Sequence, residues 1–254
     1  MVSDLADRRA RCIPMTTQSL LPESGQSRGL NSPQLIRLVH EIESTREPIT
    51  LRFIGEERTD NRPEDDSWPP DTVRNGSAGY IWIQSGETQL AIAGSFPTPI
   101  VLEDFDGLDP LIEFINTPRL VAIVLLRLGA YSIGLAKDGE VLITKSDTRY
   151  VKGQHKKGGQ SQRRFERNRE KWVRELFDKA CRDFKDRIGQ RSREVDYLAL
   201  GGDRQVLNSF LKRCPEVAKL TERMLPVRLQ VDRPNTTALK QCVRGLWIWR
   251  VHRR

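Results

Sequence analysis

Two rhythms organise the apolar positions of this chain. Leu35, Leu38, Val39 and Ile42 recur at helical spacing behind Ser32-Pro33, which reads as an N-cap followed by proline at the first helical position. A short strand, 49–54, follows. Strand-like segments at 80–83 and 89–93 flank Ser85-Gly86-Glu87, a hairpin signal. Asp109-Pro110 caps a short helix carrying Leu111, Ile112, Phe114 and Ile115. The run 120–128 is almost continuously apolar and of strand length, as expected of a central strand covered on both faces. Segments 131–136 and 140–144 are strands joined through Asp138-Gly139, a strong turn signal.

The second rhythm is longest further on. Phe165, Trp172, Leu176, Phe177, Ala180, Phe184 and Ile188 repeat at spacings of three and four, which predicts one long amphipathic helix from near Arg163 to Gly189. Beyond it the pattern predicts a strand at 195–200, a helix at 203–213, a strand at 225–231, a helix at 235–244 stopped by Gly245, and a final edge strand at 246–251. A strand meander followed by alternating strands and helices implies an α/β (α+β) fold, a mixed β-sheet flanked by helices. Residues 1–30, rich in Ser, Arg and Gln, read as a disordered tail. Residues 31–77 read as a helix, a short strand and a long loop, and 78–254 as the main domain.

The 254 residues carry 42 Lys and Arg against 34 Asp and Glu, a net charge of +8. No apolar stretch approaches the ~20 residues of a membrane helix, and no secretory signal opens the chain, so a cytoplasmic protein without membrane contact is expected. Cys12, Cys181, Cys214 and Cys242 show no Cys-x-x-Cys spacing, and only three histidines accompany them. Four reduced thiols, no metal and no cofactor are therefore expected. Nothing in the pattern calls for an obligate oligomer.

Charge changes the picture once it is located. Residues 149–193 hold 16 basic and 6 acidic side chains, net +10, which leaves −2 for the rest. A block this basic, on a helix with an apolar opposite face, is an electrostatic footprint for a phosphate backbone. The segment 151–162 ahead of the helix (VKGQHKKGGQSQ) has three glycines and three lysines and nothing apolar after Val151, so it cannot pack on a core. Gly158 and Gly159 allow close approach to a ligand, and Lys152, Lys156 and Lys157 attract phosphates without reading sequence. Arg163, Arg164, Arg167 and Arg169 extend that basic surface. Gly-Gly-Gln alone is weak, arising by chance in about 5% of chains this long.

The phrase Lys156 to Arg169 (KKGGQSQRRFERNR) resembles the catalytic loop and following helix of the eukaryotic and archaeal class I release factors. Those carry Gly-Gly-Gln-Ser, then Arg-Phe and further arginines at the spacing of Arg164, Phe165, Arg167 and Arg169. Residues 78–251 as a whole, and Ser146 to Lys152 (SDTRYVK), are similar to the bacterial branch of the Vms-like release factors, peptidyl-tRNA hydrolases of ribosome quality control. The resemblance implies a release-factor catalytic-domain (RNase H-like) architecture with its catalytic loop at 151–163. It also implies a hydrolase acting on the peptidyl-tRNA ester, with large-subunit rRNA and peptidyl-tRNA as partners. The chain departs from termination factors in lacking room for codon-reading domains. The Vms-like motif is Gly-x-x-Gln, and the sequence satisfies both registers: Gln160 matches Gly-Gly-Gln, and Gln162 matches Gly159-Gln160-Ser161-Gln162.

The resemblance implies water attack on an ester through a tetrahedral oxyanion. Glutamine is neutral and is no general base near pH 7, so its role is to orient water and aim a backbone N–H at the developing charge. His155 is more readily a phosphate contact than a base, and His40 and His252 are structural. The carboxylates Glu103, Asp104, Asp106 and Asp109 raise a Mg²⁺-nuclease reading, which the helix cap at Asp109 and a turn weaken. Trp82, Trp172, Trp247 and Trp249 are expected to pack rather than stack on bases. The competing class is a non-catalytic ribosome- or tRNA-binding module of the same fold.

Overall fold

The computed structural model describes residues 19–55, 68–70, 73, 78–99, 104–148 and 160–254; for 160–166 it describes the helical backbone alone. In chain order the elements are β1 (Ser27–Asn31), α1 (Ser32–Glu43), β2 (Ile49–Ile54), β3 (Tyr80–Ser85), β4 (Thr88–Ala93), β5 (Phe105–Asp106) and α2 (Asp109–Asn116). Then come β6 (Leu120–Arg127), β7 (Ala130–Lys137), β8 (Glu140–Thr148) and α3 (Gln160–Ile188). The last are β9 (Tyr197–Gly202), α4 (Arg204–Leu211), α5 (Pro215–Ala218), α6 (Thr236–Leu246) and β10 (Ile248–Arg253).

Two sheets result, one ordered β1-β10-β4-β3-β2-β5 and the other β8-β7-β6-β9. The second is mixed: β6 pairs antiparallel with β7 and parallel with β9. Its apolar run is divided residue by residue between two cores. Ala122, Val124 and Leu126 face α3, α4 and α5, whereas Val121, Ile123 and Leu125 face α6. A strand covered on both faces needs no polar alternation, which is why 120–126 reads as continuous. Gly134 lets α6 come close, because a Cβ there would lie 2.8 Å from Leu239 Cδ1. The Asp138-Gly139 turn has both residues at positive φ (49° and 88°), matching the twist of the β7–β8 hairpin.

The first sheet packs Leu51, Phe53, Ile81, Ile83, Leu90, Ile92, Trp249 and Val251 against α1 and α2. Helix α1 starts in a capping box: Gln34 N–H donates to Asn31 Oδ1 (2.9 Å), and Asn31 N–H donates to Gln34 Oε1 (3.0 Å). Asn31, not Ser32, is thus the cap. Segments 80–85 and 88–93 lie in the same sheet as 27–31 and 49–54, so this sheet gathers residues from both sides of position 78.

Several expectations are corrected. The tail expected through residue 30 does not extend that far, because 27–31 forms a strand hydrogen-bonded to β10, with Leu30 buried. Residues 1–18 lie outside the described residues. The final strand is not an edge: β10 lies between β1 and β4, which buries Trp249 and Val251. The strand expected at 225–231 is reduced to two isolated bridges, Leu198 with Met224 and Gly201 with Leu229. Pro226 interrupts it, having no N–H for a ladder. Gly245 lies within α6 and does not stop it. Asp109 begins α2, but Leu108 holds the cap position and no side-chain cap forms.

Candidate nucleic-acid interface

Helix α3 is the longest element, 29 residues or about 43 Å of axis. Among the described residues its buried stripe, Leu176, Phe177, Ala180, Phe184 and Ile188, occupies its C-terminal half. Ahead of it Arg167, Asn168, Glu170, Lys171 and Arg174 are exposed. The helix start therefore stands about 20 Å along the axis in front of Val173, the first described residue packed on the core.

The anchors of α3 to the body of the protein crowd into residues 178–183. Arg213 grips Asp178 in a forked pair, Nε to Oδ1 at 2.6 Å and Nη2 to Oδ2 at 2.9 Å. Lys179 donates to Asp147 on β8, and the Tyr131 hydroxyl on β7 donates to Asp183. Cys181 and Cys214 form a disulfide with Cα atoms 5.5 Å apart, which corrects the expectation of four reduced thiols. These partners lie 33 residues apart, and only the packing of α3 against α4 and α5 brings them together. The Lys179 ammonium holds the Asp147 carboxyl below the usual carboxylate range, and the Arg213 guanidinium does the same to Asp178. Burial, then the Asp183 hydrogen bond, push the Tyr131 phenol up.

The other end is electrostatically unbalanced. Helices commonly carry Asp or Glu in their first turn, where about half a unit of positive charge collects on free N–H groups. Helix α3 has no acid there, and Arg163 and Arg164 follow at once. Positive charge is thus added to a positive helix end, an arrangement that an incoming polyanion stabilises.

The helix begins at Gln160, three residues before the expected Arg163, so Gln160–Arg163 of the segment expected to be loop are helical. Gln and Arg are good helix formers, but a periodicity tied to apolar positions registers nothing before Phe165. Gln160 is the first helical residue and Gln162 lies in the same turn. Arg167 is exposed, whereas Arg169 is half-buried, its Nε shielded from solvent and without a hydrogen-bond partner. Lys152, His155, Lys156, Lys157, Gly158 and Gly159 lie outside the described residues.

Of the competing acidic cluster, Glu103 lies outside the described residues. Asp104 accepts from Arg52 Nε at 2.6 Å, and Asp106 lies in β5. Among the described residues no three His, Cys, Asp or Glu side chains gather around a common point. Of the tryptophans, Trp249 packs on Phe114 (ring centroids 5.6 Å apart), Trp247 on Phe96 (5.1 Å) and Trp82 beneath Arg52. Trp172 is partly exposed on α3. Among the described residues no helix is long and apolar enough to cross a membrane.

The chain is 31% identical over 181 residues to peptide chain release factor subunit 1 of Methanopyrus kandleri, covering 65% of this chain and 42% of that one. With the Archaeoglobus fulgidus counterpart it shares 30% over 116 residues, 44% of this chain and 28% of the relative. The chain thus spans less than half the length of these relatives. Among solved structures, the Vms1 mitochondrial localization core gives a TM-score of 0.46 at 16% identity, covering 75% of this chain and 85% of that one. The archaeal termination factor aRF1 gives 0.38 at 16%, over 84% and 69%.

The basic helix that begins at Gln160 lies in a region matched by a family model of release factors. This family model covers residues 119–252, just over half of the chain, and the chain belongs to that family, the Actinobacteria/chloroflexi VLRF1 release factors. The matched region starts at the strand β6 and includes the whole second sheet and α3.

Proposed function

We propose that this protein is a peptidyl-tRNA hydrolase that frees nascent chains from tRNA on stalled large ribosomal subunits, as in ribosome quality control. The observation that carries the reading is the arm: a helix beginning at Gln160, about 20 Å ahead of its core, with no acid in its first turn. Such an element fits a narrow, phosphate-lined RNA cavity. Lys152, Lys156, Lys157, Arg163, Arg164, Arg167 and Arg169 offset phosphate repulsion there. Gly158 and Gly159 allow close backbone approach to the ester, and Gln160 or Gln162 orients the attacking water. The glutamine holds and aligns the water without removing its proton, which passes to the departing ribose oxygen of the tRNA as the ester C–O bond breaks. A backbone N–H in the same turn stabilises the oxyanion, and rRNA with the tRNA end completes the site. The setting is cytoplasmic.

The test is release of labelled peptide from stalled peptidyl-tRNA–large-subunit complexes by wild type, Gln160→Ala, Gln162→Ala and the double variant. Positions two apart on a helix do not share a face, so one single variant should lose release and the other retain most of it. Undiminished release by the double variant refutes catalysis through these glutamines, and no release by wild type would leave a non-catalytic binding module. Subunit binding, measured alongside by co-sedimentation, should survive in every variant.

A further inference from the structure

At the base of the arm α3 and α4 diverge around a cleft of about 430 Å³, within the size range of small-ligand pockets. Its apolar lining is formed by Leu128, Val173, Phe177 and Val206. Leu128, on the turn between β6 and β7, is 42% exposed, and Phe177 is held edge-on against Phe210. The polar lining comes mainly from Arg169 and Arg174 on α3 and Gln205 and Ser209 on α4, with Glu170 its single acid. Arg169 lies nine residues behind Gln160, about 14 Å along the helix axis. Its Nε–H is the shielded donor that has no partner.

We infer that this cleft is a nucleotide pocket, taking one unpaired base from an RNA strand whose backbone follows the arm. The inference rests on the reading that RNA lies along α3. The base lies against Phe177 and the aliphatic wall, and its phosphate meets Arg169 and Arg174. Stacking on an aromatic and an aliphatic wall accepts any base, since every base has a π-face. The charge argues against a peptide side chain as occupant. An apolar group filling this space would leave two guanidiniums facing a single acid, Glu170, and the Arg169 donor unmet, whereas a phosphate supplies both charge and acceptor.

Binding of a fluorescein-labelled oligouridylate, compared with a blunt RNA duplex of equal length, tests the pocket by fluorescence anisotropy on the intact protein. Ser209 is exposed, so Ser209→Trp fills the cleft from its rim without touching the core. Ser209→Trp and Arg169→Ala should each weaken the single strand about tenfold. The duplex, which offers no unpaired base, should bind Ser209→Trp as it binds wild type. Arg167→Ala, outside the cleft, should weaken both RNAs equally, and equal thermal midpoints would show the folds intact. Single-strand binding by Ser209→Trp at wild-type strength overturns the proposal, as does an equal loss for the duplex or no RNA binding by wild type. The assay contains no ester, so a failure of the hydrolase reading in the release experiment leaves it readable.

Discussion

Arg119 holds Phe114 in two ways: its Nη2 donates to the Phe114 carbonyl at 2.6 Å, and its guanidinium lies 4.8 Å from the centre of the ring. Phe96 covers the other side at 4.7 Å, and Nη1 donates to the Thr117 carbonyl at 2.9 Å. Phe114 packs with the core of the first sheet and Phe96 with that of the second, so this buried cation joins the two cores. Burial lowers its pKa from the ordinary arginine value.

Replacing Arg119 by Met should destabilise the fold by about 3 kcal/mol, since two carbonyls lose charged donors and two rings lose a cation. Urea unfolding would measure this. Arg119→Lys should recover only part, because an ammonium cannot reproduce the planar fork.

Reducing the Cys181–Cys214 disulfide frees a loop closed across 33 residues, worth about 3–4 kcal/mol in the chain-entropy model. The thermal midpoint should fall on adding dithiothreitol and stay unchanged by it in a Cys181→Ala, Cys214→Ala variant. Cys242 is free and its thiol is pushed up by burial, so it should alkylate slowly in the native protein.

Salt reads the number of phosphate contacts. Arg167 is exposed on the arm and among the described residues has no ion pair, so Arg167→Ala should lower the slope of log K against log salt by about 1 for RNA binding. An unchanged slope would mean that Arg167 faces solvent in the complex.

His252 supplies a pH dependence. Burial, then the neighbouring Arg250, lower its pKa from 6.5, and its Nε2 has no hydrogen-bond partner. The unfolded chain therefore takes up a proton at a pH where the folded imidazole remains neutral. Stability should decline as pH falls from 6.5 toward the lower folded value and hold steady above it. In His252→Leu that part of the decline should vanish in denaturation curves recorded at stepped pH.

The composition of 149–193 and the rhythm from Leu176 to Ile188 made the basic, one-sided helix legible, because charge and periodicity are local properties of the chain. The central strand and both hairpins were legible for the same reason. The arm's anchors were not. Asp147 with Lys179, Asp178 with Arg213 and Cys181 with Cys214 pair across 32, 35 and 33 residues, and no local pattern announces a partner that far away.

By itself the sequence determined most of the helices and the central strands, and where positive charge collects, since backbone preference and apolar spacing act over a few residues. It also carried the Gly-Gly-Gln signature, whose glutamine is the first residue of α3. Only the tertiary structure decided that β10 returns to the interior of the first sheet, that Arg119 joins two cores, and that Arg169 shares a cleft with Gln205 and Ser209. Those relations depend on which surfaces are buried together, and burial is a property of the packed chain rather than of any one segment.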